Sequence, residues 1–383
     1  MDNKTDFLRR LPDSETQFSK SIKLWRRMHI DPALLALLFI LTVCGLAVLY
    51  SGSGQDMSTM KRQIAFYVVA YFSMFFIAQI DTKFLKRWSP WFFCIGVGLL
   101  ILVYVVGVDA KGARRWLSLG FIRFQPSEAL KIAVPMAVAA YLSSQVLPPR
   151  FKHIAISLLI IFIPALLILK QPDLGTAILI ASSGLIVLFL AGLRWRFIFG
   201  AVFALAMAAW PLWQWLLQPY QKTRIMTMFN PEADRLGAGW NTIQAKISIG
   251  SGGLDGKGWL KGTQSHLDFL PESHTDFIIA VLAEEFGLVG VLFLLLIYLL
   301  IVLRGLSIAW QAQNTFNRLL AGSITLTFFV YVFVNISMVS GLLPVVGVPL
   351  PLVSLGGTSL VTLFLAFGIL MAISTEKNNR PGA

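Results

Sequence analysis

One carboxylate at the start of an apolar run is well placed for chemistry. Asp276 follows the polar stretch 269–275 and opens the run 276–303, which is long enough to predict a membrane helix entered from the outer face. A carboxylate held there, shielded from bulk water, suits a general base that acts on a hydroxyl at bilayer depth. The structural alternative is an N-cap that accepts helix N–H groups. Glu272, one turn upstream if the stretch is helical, is the rival carboxylate.

A basic cluster is predicted on the same face. Arg114, Arg115 and Arg123 lie between two predicted spans, with Trp116 among them. The arginine fork matches phosphate oxygens, so the cluster predicts recognition of an anion. Anchoring at the membrane interface, where Trp is common, explains the same residues equally well.

Charged residues also lie inside predicted spans. Glu128 and Lys131 are three apart and can pair on one helix face, either to make insertion tolerable or to contact substrate. Glu284 lies roughly 12 Å deeper than Asp276 at 1.5 Å per residue. Glu284 and its neighbour Glu285 are expected to face different partners.

A glycine-rich run and four loop residues suggest two further sites. The run 250–259 lacks the spacing of a phosphate loop, because Gly258 stands where Ser or Thr must hold magnesium. Tight turns, or backbone amides that approach an anionic headgroup, are the two interpretations. A metal site built from His266, Asp268, His274 and Asp276 is also conceivable.

The elements that must hold these residues are membrane helices. The chain has 383 residues, of which 56% are hydrophobic and 13% charged, whereas soluble domains carry about 25% charged residues. This composition excludes disordered chains, secreted disulfide scaffolds and ordinary cytosolic enzymes. Runs of suitable length predict an all-α, polytopic fold with ten transmembrane helices, at 33–51, 64–80, 89–108, 127–144, 154–169, 174–193, 197–217, 276–303, 319–341 and 355–374.

Lys and Arg in alternate loops predict the orientation. With the N-terminus inside, the inside segments hold 18 of the 32 basic residues, against 7 in the short outside loops. A basic tail 1–32 and a short tail 376–383 are therefore predicted to be cytoplasmic, around a membrane domain 33–375 with a large outside loop 218–275. The net charge of +13 is mostly this bias, so no nucleic-acid partner is predicted.

Six motifs and their order along the chain resemble those of the shape, elongation, division and sporulation (SEDS) family of membrane proteins, and most closely those of its rod-shape branch. They are Lys111-Gly-Ala-Arg-Arg-Trp116, Arg123-Phe-Gln-Pro-Ser-Glu128, Gln171-Pro-Asp-Leu-Gly-Thr176, Gly258-Trp-Leu-Lys-Gly-Thr-Gln-Ser265, Phe269-Leu-Pro-Glu-Ser-His-Thr-Asp-Phe277 and Leu342-Leu-Pro-Val-Val-Gly-Val-Pro-Leu-Pro-Leu-Val-Ser-Leu-Gly-Gly357. The resemblance runs from about residue 29 to about residue 374, nearly the whole chain.

The resemblance implies a ten-span peptidoglycan glycosyltransferase of the bacterial inner membrane that polymerises lipid II at the periplasmic face during cell elongation. It makes Asp276 the essential aspartate and Trp116 an important tryptophan. Asp276 would then deprotonate the acceptor's GlcNAc 4-hydroxyl, which attacks the donor MurNAc anomeric carbon and expels undecaprenyl pyrophosphate with inversion. The implied partners are a class B penicillin-binding protein and other membrane proteins of the elongation complex.

The remaining site predictions concern substrate contact and a cofactor. The candidates for substrate binding are Arg114, Arg115, Trp116, Arg123, Gln125, Glu128, Lys131, Lys257, Gln264, Glu272, His274 and Thr275. A divalent cation, Mg²⁺ or Mn²⁺, would help the pyrophosphate to leave, and no organic cofactor is expected.

Two other functions stay open on the sequence. A lipid II flippase would also be multi-span, but transport paths carry polar residues through the full bilayer depth. A non-catalytic scaffold of the elongation machinery would need no acidic residue at position 276. Polymerisation of labelled lipid II in detergent, where no membrane sides exist, distinguishes an enzyme from both.

Overall fold

The computed structural model describes residues 28–110, 113–118, 123–217, 219–234, 238–266 and 272–376. The predicted cytoplasmic tails lie almost entirely outside these residues. The α-helices of the described part are α1 (Pro32–Gly52), α2 (Met57–Ala78), α3 (Thr82–Val106), α4 (Pro126–Leu142), α5 (Phe151–Lys170), α6 (Leu174–Leu190), α7 (Trp195–Pro211), α8 (Pro219–Phe229), α9 (Ala238–Gly252), α10 (Thr263–His266), α11 (Ile278–Gln311), α12 (Thr315–Val339) and α13 (Thr358–Thr375).

Each of the ten predicted runs overlaps one helix, namely α1 to α7 and α11 to α13. Six of these helices (α1, α3, α5, α11, α12 and α13) are long and apolar enough to cross a membrane, and α6 and α7 are shorter apolar helices. The protein is a multi-pass, essentially all-α membrane protein, and the number ten stays a prediction. The predicted loop 218–275 contains α8, α9 and α10.

Aspartates begin the first three helices. The carboxylates of Asp31, Asp56 and Asp81 accept hydrogen bonds from backbone N–H groups in the first turns of α1, α2 and α3. Each satisfies donors that a helix start leaves without a partner. The caps at Asp56 and Asp81 explain why α2 and α3 begin several residues before their apolar runs.

Neighbouring helices bury a continuous core. Helix α13 packs on α2, α11 packs on α12 and α1, and α6 lies among α4, α5 and α12. Many outward-facing side chains of α3, α7 and α11 are large and apolar, among them Trp91, Phe203 and Phe293. Such exposed apolar faces are those that lipid covers.

Helix α11 is interrupted where the glycine-rich run meets it. Gly287 has φ +63° and ψ −161°, which no helix contains. The amides of Lys257 and Gly258 donate to the carbonyl oxygens of Glu284 and Glu285, at 3.0 and 2.9 Å, and so replace the lost helical bonds. These two amides therefore bond to the backbone of α11 and not to a headgroup. For the other amides of the run, headgroup binding stays a prediction.

The 342–357 segment, between α12 and α13, enters the protein interior although it was predicted to begin as an outside loop. Val348, Leu350, Leu352 and Val353 are almost fully buried. The hydroxyls of Tyr67 and Tyr298 donate to the carbonyl oxygens of Leu352 and Pro351, both at 2.6 Å, which satisfies non-helical backbone inside the bundle.

Three short strands between α3 and α4 were not predicted. Strands β1 (Val108–Ala110), β2 (Ala113–Ser118) and β3 (Arg123–Phe124) form an antiparallel sheet in the order β1-β2-β3. The register pairs Val108 with Trp116 and Leu117 with Phe124. The sheet thus holds two of the polar motifs side by side.

Candidate active site

Asp276 lies in a turn and does not cap a helix. Helix α11 begins at Ile278, and its N-cap residue is Phe277. Glu272 has φ +57°, and its carbonyl oxygen accepts hydrogen bonds from the amides of Thr275 (3.1 Å) and Phe277 (3.4 Å). The N-cap interpretation of Asp276 and the helical interpretation of Glu272 are both wrong, because this tight turn delays the helix by two residues.

The backbone around Asp276 is held from two sides. The side-chain amide of Asn335, on α12, donates to the carbonyl oxygen of Asp276 at 2.9 Å. On the N-terminal side, the Ser273 hydroxyl donates to the carbonyl oxygen of Gly52 at 2.9 Å, at the end of α1. Both donors are buried, so the turn is fixed before any substrate arrives.

The 342–357 segment lies against the same turn. The Ser354 hydroxyl donates to the carbonyl oxygen of Thr275 at 2.5 Å, and the amide of Leu355 donates to that of His274 at 2.9 Å. Gly347 has φ +71°, a left-handed conformation, and a Cβ there would lie 3.5 Å from Oδ2 of Asp276. The backbone at Gly347 therefore forms one wall beside the half-buried carboxylate.

The sheet joins this region through the 171–176 motif. The Arg115 guanidinium donates from Nε to the carbonyl oxygen of Gln171 (3.1 Å) and from Nη2 to that of Pro172 (2.6 Å). Gln125 donates from Nε2 to Oδ2 of Asp173 at 3.4 Å. A Cβ on Gly175 would lie 2.8 Å from the carbonyl oxygen of Val346, so glycine permits this motif to touch the 342–357 segment.

Successive contacts therefore connect four motifs that are far apart in sequence to the turn that holds Asp276. Comparison with known proteins then identifies the family. The sequence model of the FtsW, RodA and SpoVE family, described as cell cycle protein, matches residues 29–379. The chain is 54% identical to peptidoglycan glycosyltransferase MrdB of Escherichia coli over 353 residues, which cover 92% of this chain and 95% of the relative. The chain belongs to the SEDS family.

One further relative and two solved structures are also similar to this chain over most of its length. A probable peptidoglycan glycosyltransferase FtsW of Trichlorobacter lovleyi is 36% identical and covers 92% of this chain and 95% of the relative. A solved structure described as structural coordination of polymerization and crosslinking by a peptidoglycan synthase complex superposes with a TM-score of 0.80 at 30% identity, over 91% of this chain and 99% of that one. Rod shape determining protein RodA of Thermus thermophilus gives a TM-score of 0.69 at 28% identity, over 90% of this chain and 96% of that one.

The Glu128–Lys131 pair on α4 of this SEDS protein forms as predicted. Lys131 Nζ lies 2.7 Å from Oε1 of Glu128, and both side chains are buried. The ammonium also donates to the hydroxyl of Tyr331, on α12. The pair thus links α4 to α12, and its predicted substrate contact stays a prediction.

Half-buried Lys257 forms an ion pair with a buried glutamate. Its ammonium lies 2.7 Å from Oε1 of Glu284, which is fully buried. The same oxygen accepts the backbone amides of Thr263 (2.8 Å) and Gln264 (3.0 Å). Glu285 instead accepts from Ser51, so the two glutamates do face different neighbours. Lys257 and Gln264 thereby acquire a structural role, and their predicted substrate contacts stay predictions.

The other predicted site residues divide by exposure. Arg114 is exposed, whereas Trp116, Glu272, His274 and Thr275 are half-buried. The Thr275 hydroxyl donates to Oε2 of Glu272 at 2.7 Å. The side chains of Arg123 and His266, and all of Asp268, lie outside the described part. Within that part, no group of three His, Cys, Asp or Glu side chains is suited to a metal ion.

Sequence reasoning missed several residues that position the turn. Asn335, Ser354 and Tyr67 are buried polar residues that hydrogen-bond to backbone in or beside the site. The signal for Asn335 was available, since a polar amide in the middle of the apolar run 319–341 is costly without a partner. Nothing local distinguished Ser354, because its partner is 79 residues away.

Proposed function

We propose that this peptidoglycan glycosyltransferase polymerises lipid II and that Asp276 is its general base. The observation that carries the proposal is the placement of Asp276, whose half-buried carboxylate stands on a backbone fixed by Asn335 and Ser273 and beside the wall at Gly347. A base held in one position contributes typically 10²–10⁴-fold to a rate. A rigidly held carboxylate favours catalysis, because it does not have to be positioned after the substrate binds.

In the proposed reaction, Asp276 takes the proton of the acceptor's GlcNAc 4-hydroxyl as its oxygen attacks the donor MurNAc anomeric carbon. The bond from that carbon to the pyrophosphate oxygen breaks, and undecaprenyl pyrophosphate leaves from the opposite face with inversion. Negative charge grows on the leaving group. Exposed Arg114 and the predicted contacts Arg123 and Trp116 are the candidates to stabilise it.

Arg115 has a different part in the proposal. Its guanidinium spans the backbone carbonyls of Gln171 and Pro172 and lies 3.6 Å from Asp173. We therefore assign Arg115 to holding the sheet on the 171–176 motif, and Arg114 to the substrate. A divalent cation stays a prediction: the described side chains offer no three-ligand group for one, and no step depends on it.

The membrane orientation and the partners complete the proposal. The distribution of Lys and Arg supports cytoplasmic termini in the bacterial inner membrane and a site that faces the periplasm. Likeness to a solved peptidoglycan synthase complex supports a class B penicillin-binding protein as the cross-linking partner, with other elongation-complex membrane proteins around it. Elongation, rather than division, is supported by 54% identity to MrdB against 36% to an FtsW.

The test is polymerisation of labelled lipid II by the purified protein and its transpeptidase partner in detergent. Asp276→Asn keeps the shape and removes the base, so we expect glycan product to fall at least about 100-fold. Co-purification of the partner and the midpoint of thermal unfolding should be unchanged. Asp255→Asn is the matched control, because Asp255 is exposed in the predicted outside loop that precedes Asp276.

The same assay separates the alternatives. If the protein were a flippase or a scaffold, neither the wild type nor Asp276→Asn would make polymer in detergent. Substantial synthesis by Asp276→Asn would remove Asp276 from the role of base without affecting the proposed activity. Addition of EDTA, followed by Mg²⁺ or Mn²⁺, measures whether a divalent cation is needed.

A further inference from the structure

A groove between α3, α4 and α5 lies at the opposite end of α3 from the sheet and has no part in the proposed reaction. It encloses about 570 Å³, a volume typical of sites for small ligands. The two described chain ends meet beside the start of α3: Nδ1 of His29 lies 3.1 Å from Oγ1 of Thr375, and the Thr82 hydroxyl donates to Glu376 at 3.2 Å. The groove is therefore at the end of the bundle that carries both termini.

Three cations form one rim of the groove. Lys83, Lys86 and Arg87 occupy the first two turns of α3, and all three line the groove. Among the described residues, none of these side chains forms an ion pair, and no acidic residue lines the groove. The nearest carboxylate along the chain, Asp81, caps α3 by accepting the amide of Lys83 at 2.9 Å. The positive end of the helix dipole adds to the charge of the rim.

Apolar and small side chains, together with Tyr141, form the rest of the groove. Phe93, Ala137, Ala140 and Ile160 line it below the rim. Small residues on α4 leave room that a larger side chain would fill. Cys94, which also lines the groove, and its neighbours Phe92 and Ile95 are exposed, so this side of the bundle is open toward the surrounding lipid.

We propose that this groove binds one anionic diacyl phospholipid, with its phosphate against Lys83, Lys86 and Arg87 and an acyl chain between α3 and α4. Charge complementarity selects the headgroup, because three cations that have no acidic partner in the described part of the chain favour an anion near them. The apolar lining selects a lipid rather than a soluble phosphate. Each cation near a membrane surface strengthens binding of anionic lipid on the order of fivefold.

Native mass spectrometry of the delipidated full chain in detergent tests the proposal. Phosphatidylglycerol, phosphatidylethanolamine and undecaprenyl phosphate are added separately and in competition. We expect one tightly retained phosphatidylglycerol per chain and at least tenfold weaker retention of phosphatidylethanolamine. In the triple variant K83Q/K86Q/R87Q, phosphatidylglycerol retention should fall on the order of 100-fold.

Two further variants make the result specific. R194Q/R196Q/R318Q removes the same charge from the predicted inside loops but not from the groove, and should retain phosphatidylglycerol within about twofold of wild type. Ala140→Phe fills the groove without changing charge, and should also displace the lipid. If that variant fails to fold, Lys86→Gln alone should still weaken retention about fivefold.

Three results would overturn the proposal. Equal retention of phosphatidylethanolamine and phosphatidylglycerol would show no headgroup selection. Equal losses in the two triple variants would show a general charge effect. Displacement of phosphatidylglycerol by an equal amount of undecaprenyl phosphate would assign the groove to a polyprenyl carrier instead.

Discussion

The side-chain amide of Asn335 ties Asp276 to the 342–357 segment. Its Nδ2 donates to the carbonyl oxygen of Asp276 at 2.9 Å and to that of Val348 at 2.7 Å. Asn335 is completely buried in α12. One side chain thus sets the distance between the proposed base and the backbone that lies beside its carboxylate.

Replacing Asn335 by Asp should impair activity although the reacting groups remain. A carboxylate has the same shape but cannot donate to two carbonyl oxygens, and it would place a charge in the core. We expect polymerisation to fall at least about tenfold and stability to fall by roughly 2–3 kcal/mol. The lipid II assay and thermal unfolding measure the two effects.

Exposed Asn230→Asp is the control for the chemical change itself and should behave as wild type. If Asn335→Asp polymerised normally while its unfolding midpoint dropped, Asn335 would stabilise the fold without positioning Asp276.

Gly287 should tolerate no side chain. A Cβ at this position would lie 2.4 Å from both the amide nitrogen of Gly256 and the carbonyl oxygen of Leu254, and its φ of +63° is unfavourable for other residues. We expect Gly287→Ala to destabilise the protein by about 3 kcal/mol or more, because backbone must move.

Thermal unfolding in detergent measures this loss. Gly98→Ala is the matched control, since Gly98 lies within α3 and a Cβ there meets no atom within 4 Å. An unchanged midpoint for Gly287→Ala would mean that the interruption of α11 can be rearranged at little cost.

The helices and the pairs within them were predictable because their signals are local. Apolar runs gave the helices, and the spacing of three between Glu128 and Lys131 gave their ion pair. The polar motifs placed Asp276 at the start of α11 to within two residues. The two-residue error comes from the turn at Glu272, whose positive φ no local preference of glutamate predicts.

The features that were missed depend on contacts between distant residues. The 342–357 segment contains Pro344, Pro349 and Pro351 and resembles an outside loop, yet it is buried because Tyr67 and Tyr298 satisfy its carbonyls. The sheet was missed because β1 and β3, which pair with the six-residue β2, have only three and two residues, at or below the usual minimum length.

The Glu284–Lys257 ion pair should contribute mainly to stability. One buried oxygen of Glu284 accepts the Lys257 ammonium, the Thr263 hydroxyl and two backbone amides, so Glu284→Gln removes a charge that four donors share. We expect the unfolding free energy to fall by about 3 kcal/mol.

A double-mutant cycle with Lys257→Gln should give a coupling on the order of 1 kcal/mol or more. Polymerisation per folded Lys257→Gln molecule should stay within about twofold of wild type. A rise in KM for lipid II without loss of stability would instead support the predicted contact of Lys257 with pyrophosphate.

The adjacent arginines of β2 should respond differently to the same substitution. Arg115 uses Nε and Nη2 for two carbonyl oxygens of the 171–176 motif, and a lysine cannot reproduce that fork. Arg115→Lys should therefore lower stability by roughly 1–2 kcal/mol, and with it the unfolding midpoint, and it should also lower kcat.

Arg114 is exposed, so Arg114→Lys should leave the unfolding midpoint unchanged. Arg114→Gln should raise KM for lipid II severalfold, and the increase should be larger at low salt. Steady-state kinetics at two salt concentrations, with thermal unfolding of each variant, separate the two roles. If Arg115→Lys raised KM alone and Arg114→Gln changed nothing, the assignments would have to be exchanged.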